Sequence, residues 1–129
     1  MPEPLPIQSV NHIARITRDL EASRAFYRDV LGFREIHRPN FRFPGAWLYN
    51  YGIQVHLIAA GEGERPGSGE ISTRADHLAL HVEDLDRVES LLSQHGIAYK
   101  KNEVPQTGVT QLFLLDPDGN HIEIATYPP

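Results

Sequence analysis

The stretch 10-VNHIARITRDLEASRAFYRDVLGF-33 decides the fold, because it returns in shortened form as 76-DHLALHVEDLDRVESLL-92. Asn11-His12-Ile13 matches Asp76-His77-Leu78 and Asp19-Leu20 matches Asp84-Leu85, each 65 residues further on. Gly32-Phe33 recurs as Gly96-Ile97 at a shift of 64, and Tyr51-Gly52 as Asp118-Gly119 at 67. His56 stands four residues after Gly52, and Glu123 four residues after Gly119. Self-similarity at a nearly fixed offset marks a duplicated structural unit. The chain therefore reads as two copies, about 7–60 and 73–127, of one repeat.

Each copy carries the same order of elements. Residues 10–16 and 77–82 are short apolar-rich runs of strand length. Asp19 opens a helix whose apolar stripe takes in Leu20, Ala22, Ala25, Phe26, Val30 and Leu31. Asp84 opens its counterpart with Leu85, Val88, Leu91 and Leu92, and Gly32 and Gly96 stop the two helices. Three more strands fit each copy, about 33–38, 45–50 and 53–59 in the first and 97–102, 109–115 and 120–126 in the second. Asp116-Pro117-Asp118-Gly119 makes a tight turn before the last. The pattern is βαβββ twice, an α+β fold of two modules with curved mixed sheets around a shared cavity. Residues 61–72, nearly free of apolar side chains, read as a flexible linker. Such a joint lets the second module pack against the first of its own chain or of a neighbour; a homodimer is expected, and exchange of modules between copies is one way to form it.

Composition narrows the chemistry. With 129 residues, 40% of them hydrophobic, the expectation is a single domain over 1–129. No apolar run is long enough to span a membrane and the N-terminus lacks a signal-peptide pattern, so a soluble, unprocessed, cytoplasmic protein is expected. A net charge of −5 opposes a phosphate-binding surface, so no nucleic-acid partner is expected. There is no cysteine, so any metal must be held by imidazole and carboxylate.

Strand side chains alternate between faces, so His12 shares a face with Ala14 and Ile16, and His77 with Ala79 and His81. His56 shares one with Gln54 and Ile58, and Glu123 with His121 and Ala125. Whatever place His12 takes in one module, His77 takes in the other, and the same holds for His56 and Glu123. Two such sheets facing each other about a pseudo-twofold axis bring three imidazoles and one carboxylate together. That set suits one divalent cation, Ni²⁺, Zn²⁺, Co²⁺, Mn²⁺ or Fe²⁺, with positions left for water or substrate. A single strand histidine is more often a hydrogen-bonded structural residue than a ligand; recurrence in register outweighs that. Glu123 lies between Ile122 and Ile124 and so points to the opposite face, where an unpaired buried charge is costly. His81 and His121 lie on the ligand faces, whereas His37 and His95 read as surface. Phe41, Phe43, Trp47, Tyr49 and Tyr51 read first as core and second as an aromatic wall for substrate.

The segments VNHIARITRDLEASRAFYRDVLGF, IQVHLI, DHLALHVEDLDRVESLL and FLLDPDGNHIEI resemble the vicinal oxygen chelate superfamily over essentially the whole chain. Its metal ligands lie on the first and last strands of each module, which implies His12, His56, His77 and Glu123 as ligands. The short chain and the DPDG-x-x-IE ending look most like glyoxalase I, which isomerises the hemithioacetal of methylglyoxal and glutathione. The resemblance implies a metal-dependent lyase of the lactoylglutathione lyase type, acting on a small molecule with vicinal oxygens and stabilising an enediolate-like intermediate. Glu123 would be the catalytic proton shuttle and His56 a possible second base. Ile16 and Ala60 stand where glyoxalase I has an Arg and an Asn, a departure that touches glutathione recognition. The same resemblance admits an epimerase, a fosfomycin-type thiol transferase, an extradiol dioxygenase or a non-catalytic sequestering protein.

Overall fold

The computed structural model describes residues 3–63 and 69–127. The first repeat runs β1 (His12–Thr17), α1 (Leu20–Ala25), β2 (Arg34–Ile36), β3 (Gly45–Asn50) and β4 (Ile53–Ala59). The second runs β5 (His77–His81), α2 (Leu85–Gln94), β6 (Tyr99–Glu103), β7 (Thr110–Leu115) and β8 (His121–Ala125). Both sheets have the same topology, β1-β4-β3-β2 and β5-β8-β7-β6. In each the first strand pairs in parallel with the fourth, and the other pairings are antiparallel. Register confirms the duplication, since Ala14 lies opposite His56 just as Ala79 lies opposite Glu123.

The predicted helix boundaries have visible causes. The Asp19 carboxylate accepts from Ala22 N at 3.1 Å and that of Asp84 from Arg87 N at 3.0 Å, each satisfying a donor that the first turn leaves open. Gly32 and Gly96 take φ of +82° and +70°, the left-handed geometry that ends a helix at little steric cost. The first helix departs from the expected period. Over Phe26–Val30 it widens into a π segment, with Leu31 N donating to Phe26 O at 3.1 Å. Tyr27 is thereby fully buried, whereas the predicted Ala22 and Ala25 are only half-buried.

One apolar cluster draws on both modules, with Phe33, Leu48 and Leu57 from the first and Leu92, Leu112 and Ile122 from the second. Each such side chain contributes about 1.5–3 kcal/mol by leaving water. A polar joint accompanies it. In the tight turn of residues 116–119, Asp118 accepts from Arg18 N and from Ser23 Oγ, both at 2.9 Å, and Asp116 accepts from the Tyr27 hydroxyl at 2.8 Å. Both aspartates are buried, and these bonds offset the desolvation of their charge. Burial, aided by the Asp116 charge, holds the Tyr27 phenol well above its ordinary pKa. Of the expected linker 61–72, residues 64–68 lie outside the described residues. Its far end is anchored, since Ser72 N donates to His121 Nε2 at 2.8 Å. Among the described residues no helix is long and apolar enough to cross a membrane.

Candidate metal centre

β1 and β4 set His12 and His56 side by side on one face of the first sheet. Their rings stack at 3.9 Å with 10° between planes, and Trp47 stacks on the far side of His56 at 4.1 Å and 7°. His12 Nδ1 lies 2.8 Å from the Asn11 side-chain oxygen, which can only accept, so Nδ1 carries the proton and Nε2 is left with a lone pair. His56 directs Nε2 to the Gln54 side-chain oxygen at 2.8 Å, leaving Nδ1 as its lone-pair nitrogen. Burial first, then the charges of His12 and Arg38, lower the His56 pKa. The neutral imidazole that results is the form that ligates metal.

The second sheet arranges a different pair. Glu123 is 2% exposed, and its Oε1 lies 3.1 Å from His77 Nε2 and accepts from Gln111 Nε2 at 3.2 Å. Its Oε2 accepts from the Tyr127 hydroxyl, and Asn102 Nδ2 orients Gln111 by donating to its amide oxygen at 2.8 Å. His77 Nδ1 donates to the Ala75 carbonyl at 2.7 Å, and Phe113 meets its ring edge-on at 5.5 Å. With Nδ1 committed to a carbonyl, Nε2 and Oε1 face each other and require a positive centre, either a second proton or a cation. Bond lengths of about 2.0–2.2 Å put neighbouring ligand atoms of one ion roughly 3 Å apart, so the donor types and their spacing fit a divalent metal.

The structure therefore brings His12 to His56 and His77 to Glu123, but does not bring the two pairs together within the chain. Among the described residues no three His, Asp or Glu side chains lie close enough to share one ion. His121 is buried and spends Nε2 on Ser72. His81 is half exposed and accepts from Tyr127 N through Nδ1 at 3.1 Å. His37 and His95 are exposed, as expected. The aromatic cluster is not core: Phe41, Phe43, Tyr49 and Tyr51 are 37–58% exposed. Tyr51 instead donates its hydroxyl to Leu31 O, and Trp47 serves the histidine stack. A cavity of about 770 Å³ opens between the modules, lined by apolar residues such as Val30, Ile53, Leu78 and Leu80. None of the four candidate ligands lines it, so its size does not make it the site of chemistry.

Sequence reasoning missed Gln111, Tyr127 and Asn102. Gln111 was detectable, being a polar residue on the Glu123 face of an otherwise apolar strand, TQLFLL. Tyr127 lies past the last strand, where alternation gives no guide.

Comparison with known proteins follows the same lines. Residues 9–124 match the family model of the Glyoxalase/Bleomycin resistance protein/Dioxygenase superfamily. The chain is 41% identical over 125 residues to Glyoxylase I 4 of Arabidopsis thaliana, covering 94% of this chain and 72% of that protein. A glyoxalase/dioxygenase from Nostoc punctiforme superposes with a TM-score of 0.76 at 28% identity, over 100% of this chain and 97% of that one. The lactoylglutathione lyase of Agrobacterium tumefaciens superposes with a TM-score of 0.70 at 21% identity, over 94% and 95%, a likeness of fold.

Proposed function

Because the chain belongs to the glyoxalase/bleomycin resistance protein/dioxygenase superfamily, we propose that it is a cytoplasmic, metal-dependent enzyme of the glyoxalase I type, a lyase that isomerises a hemithioacetal or a similar small molecule with vicinal oxygens. The observation that carries this reading is the buried Glu123 carboxylate facing His77 Nε2 at 3.1 Å, two donor atoms at a spacing that one divalent cation would bridge. His12, His56, His77 and Glu123 would hold it. A divalent ion bound there supplies Lewis acidity, polarising two neighbouring substrate oxygens and stabilising the negative charge that develops on them.

The chain's own residues do the rest. Glu123 takes a proton from one substrate carbon and returns it to the next, with Gln111 and Tyr127 keeping its carboxylate aimed. His56, neutral because of its surroundings, is suited to act as a second base. Trp47 covers one side of the His56 ring.

Two half-sites in one chain call for a second copy. β1 and β5, which carry His12 and His77, are edge strands of their sheets, and open edges are normally covered. Leu5, Ile7 and Val10, leading into β1, are 70–78% exposed. A homodimer that covers this surface would join His12 and His56 of one copy to His77 and Glu123 of the other.

The test is metal analysis of protein purified without chelator, then a hemithioacetal isomerisation assay with Ni²⁺, Zn²⁺ and Mn²⁺ added separately. Metal-dependent loss of hemithioacetal is expected; bound metal with no turnover removes the glyoxalase reading. Mixing inactive His12→Ala and Glu123→Gln copies tests the shared site. Random re-pairing makes half of the dimers mixed with one intact site each, so about a quarter of wild-type activity should return. No recovery after verified subunit exchange rejects the shared site.

A further inference from the structure

The face that carries His12 and His56 continues into an aromatic wall that ends on an arginine. From the stack of His12, His56 and Trp47, ring contacts run on from Trp47 to Phe41 at 5.9 Å and from Phe41 to Phe43 at 5.5 Å. The Arg38 guanidinium lies over both phenylalanines, 4.8 Å and 5.1 Å from their centroids. Its Nη2 donates to Phe43 O at 3.0 Å. The site is made to measure at Gly45, where a methyl group would stand 2.8 Å from Nη2 and 2.4 Å from Leu57 O.

Arg38 has no carboxylate partner among the described residues, whereas Arg24 and Arg28 are both ion-paired. Its Nε is buried without a hydrogen-bond partner. A buried donor left unsatisfied is unfavourable, and no hydrogen bond among the described residues offsets it. Cation–π contacts hold the planar group in place without neutralising it, which leaves a fixed fork suited to a carboxylate.

We infer that Arg38 is a specificity-determining residue that binds the carboxylate of an anionic substrate whose apolar body lies along Phe41, Phe43 and Trp47. The inference rests on the proposed use of this face for substrate, and it narrows the substrate class to acids. The anion end lies at the Arg38 edge of the wall, and the reacting oxygens lie toward His12 and His56.

Trp47 is the only tryptophan, so its fluorescence reports on this wall alone. Metal-free protein, dialysed free of chelator, is titrated with 4-(1,2-dihydroxyethyl)benzoate, whose carboxylate and vicinal oxygens stand at opposite ends of an aromatic body, and with its methyl ester. The acid should bind roughly tenfold more tightly than the ester, the worth of a hydrogen bond to a charged group. Arg38→Gln should abolish that preference, Arg38→Lys should keep part of it, and Arg42→Gln, a neighbouring exposed charge, should change it less than about twofold. Equal wild-type affinities for acid and ester overturn the inference, and that comparison needs no variant. So does a retained preference in Arg38→Gln, or an equal loss in Arg42→Gln. A silent hemithioacetal assay with the acid preference intact removes the isomerase reading alone; indifference between acid and ester with a positive assay removes the role of Arg38 alone.

Discussion

The same βαβββ unit is built twice, yet its two candidate ligand pairs differ in kind. In the first module His12 and His56 stack on an exposed aromatic face, each steadied by one side-chain amide. In the second, the Glu123 charge is sealed from water and held by Gln111 and Tyr127. Duplication supplied the symmetry, and burial set the difference: one module presents an exposed aromatic face and the other a buried carboxylate. A carboxylate set among donors is pre-aimed, whereas each stacked imidazole is held by one hydrogen bond and by ring contact.

The largest test of that contrast is Glu123→Gln, which keeps shape and loses basicity. Turnover should fall by roughly two to four orders of magnitude, the usual worth of a positioned base, while much of the metal affinity survives. Unaltered turnover measured at saturating metal would end the proton-shuttle assignment. The contrast sharpens with a pair of supporting residues. Removing the Tyr127 hydroxyl by Tyr127→Phe should weaken metal binding roughly tenfold in a competition titration, whereas Gln54→Leu in the first module should cost no more than about threefold. The opposite ranking would mean that support is concentrated on the open face.

The smallest effect concerns pH. The His56 pKa is lowered in the fold, so below the ordinary imidazole value of about 6.5 the unfolded chain binds more protons than the folded one. The stability tied to neutral His56 is complete above that value and is lost as pH falls through the lowered folded pKa. The urea midpoint of metal-free protein should therefore drop more between pH 7 and pH 5 in wild type than in His56→Gln. Parallel curves would show that His56 is solvated like a free imidazole.

The fold was legible because its cues are local. Asp19, Asp84, Gly32 and Gly96 act within a turn of where they stand, and strand alternation put His12, His56, His77 and Glu123 on their faces. What was hidden depends on contacts distant in sequence. The π segment that buries Tyr27 answers to Asp116, 89 residues away. The Tyr127 contact with Glu123 depends on the path of the chain after β8. The aromatic cluster was misjudged as core because hydrophobicity alone does not say which side of a sheet is covered. That the two pairs stay apart in one chain is a matter of module placement, about which periodicity carries no information.

The turn at 116–119 also bears on how such a chain can change. Asp118 holds the chain at Arg18 and Ser23 and Asp116 holds Tyr27, so a peg from one half aligns it with the other. The length of the segment that joins the halves can then vary among related chains while the two sheets keep their bearing to one another.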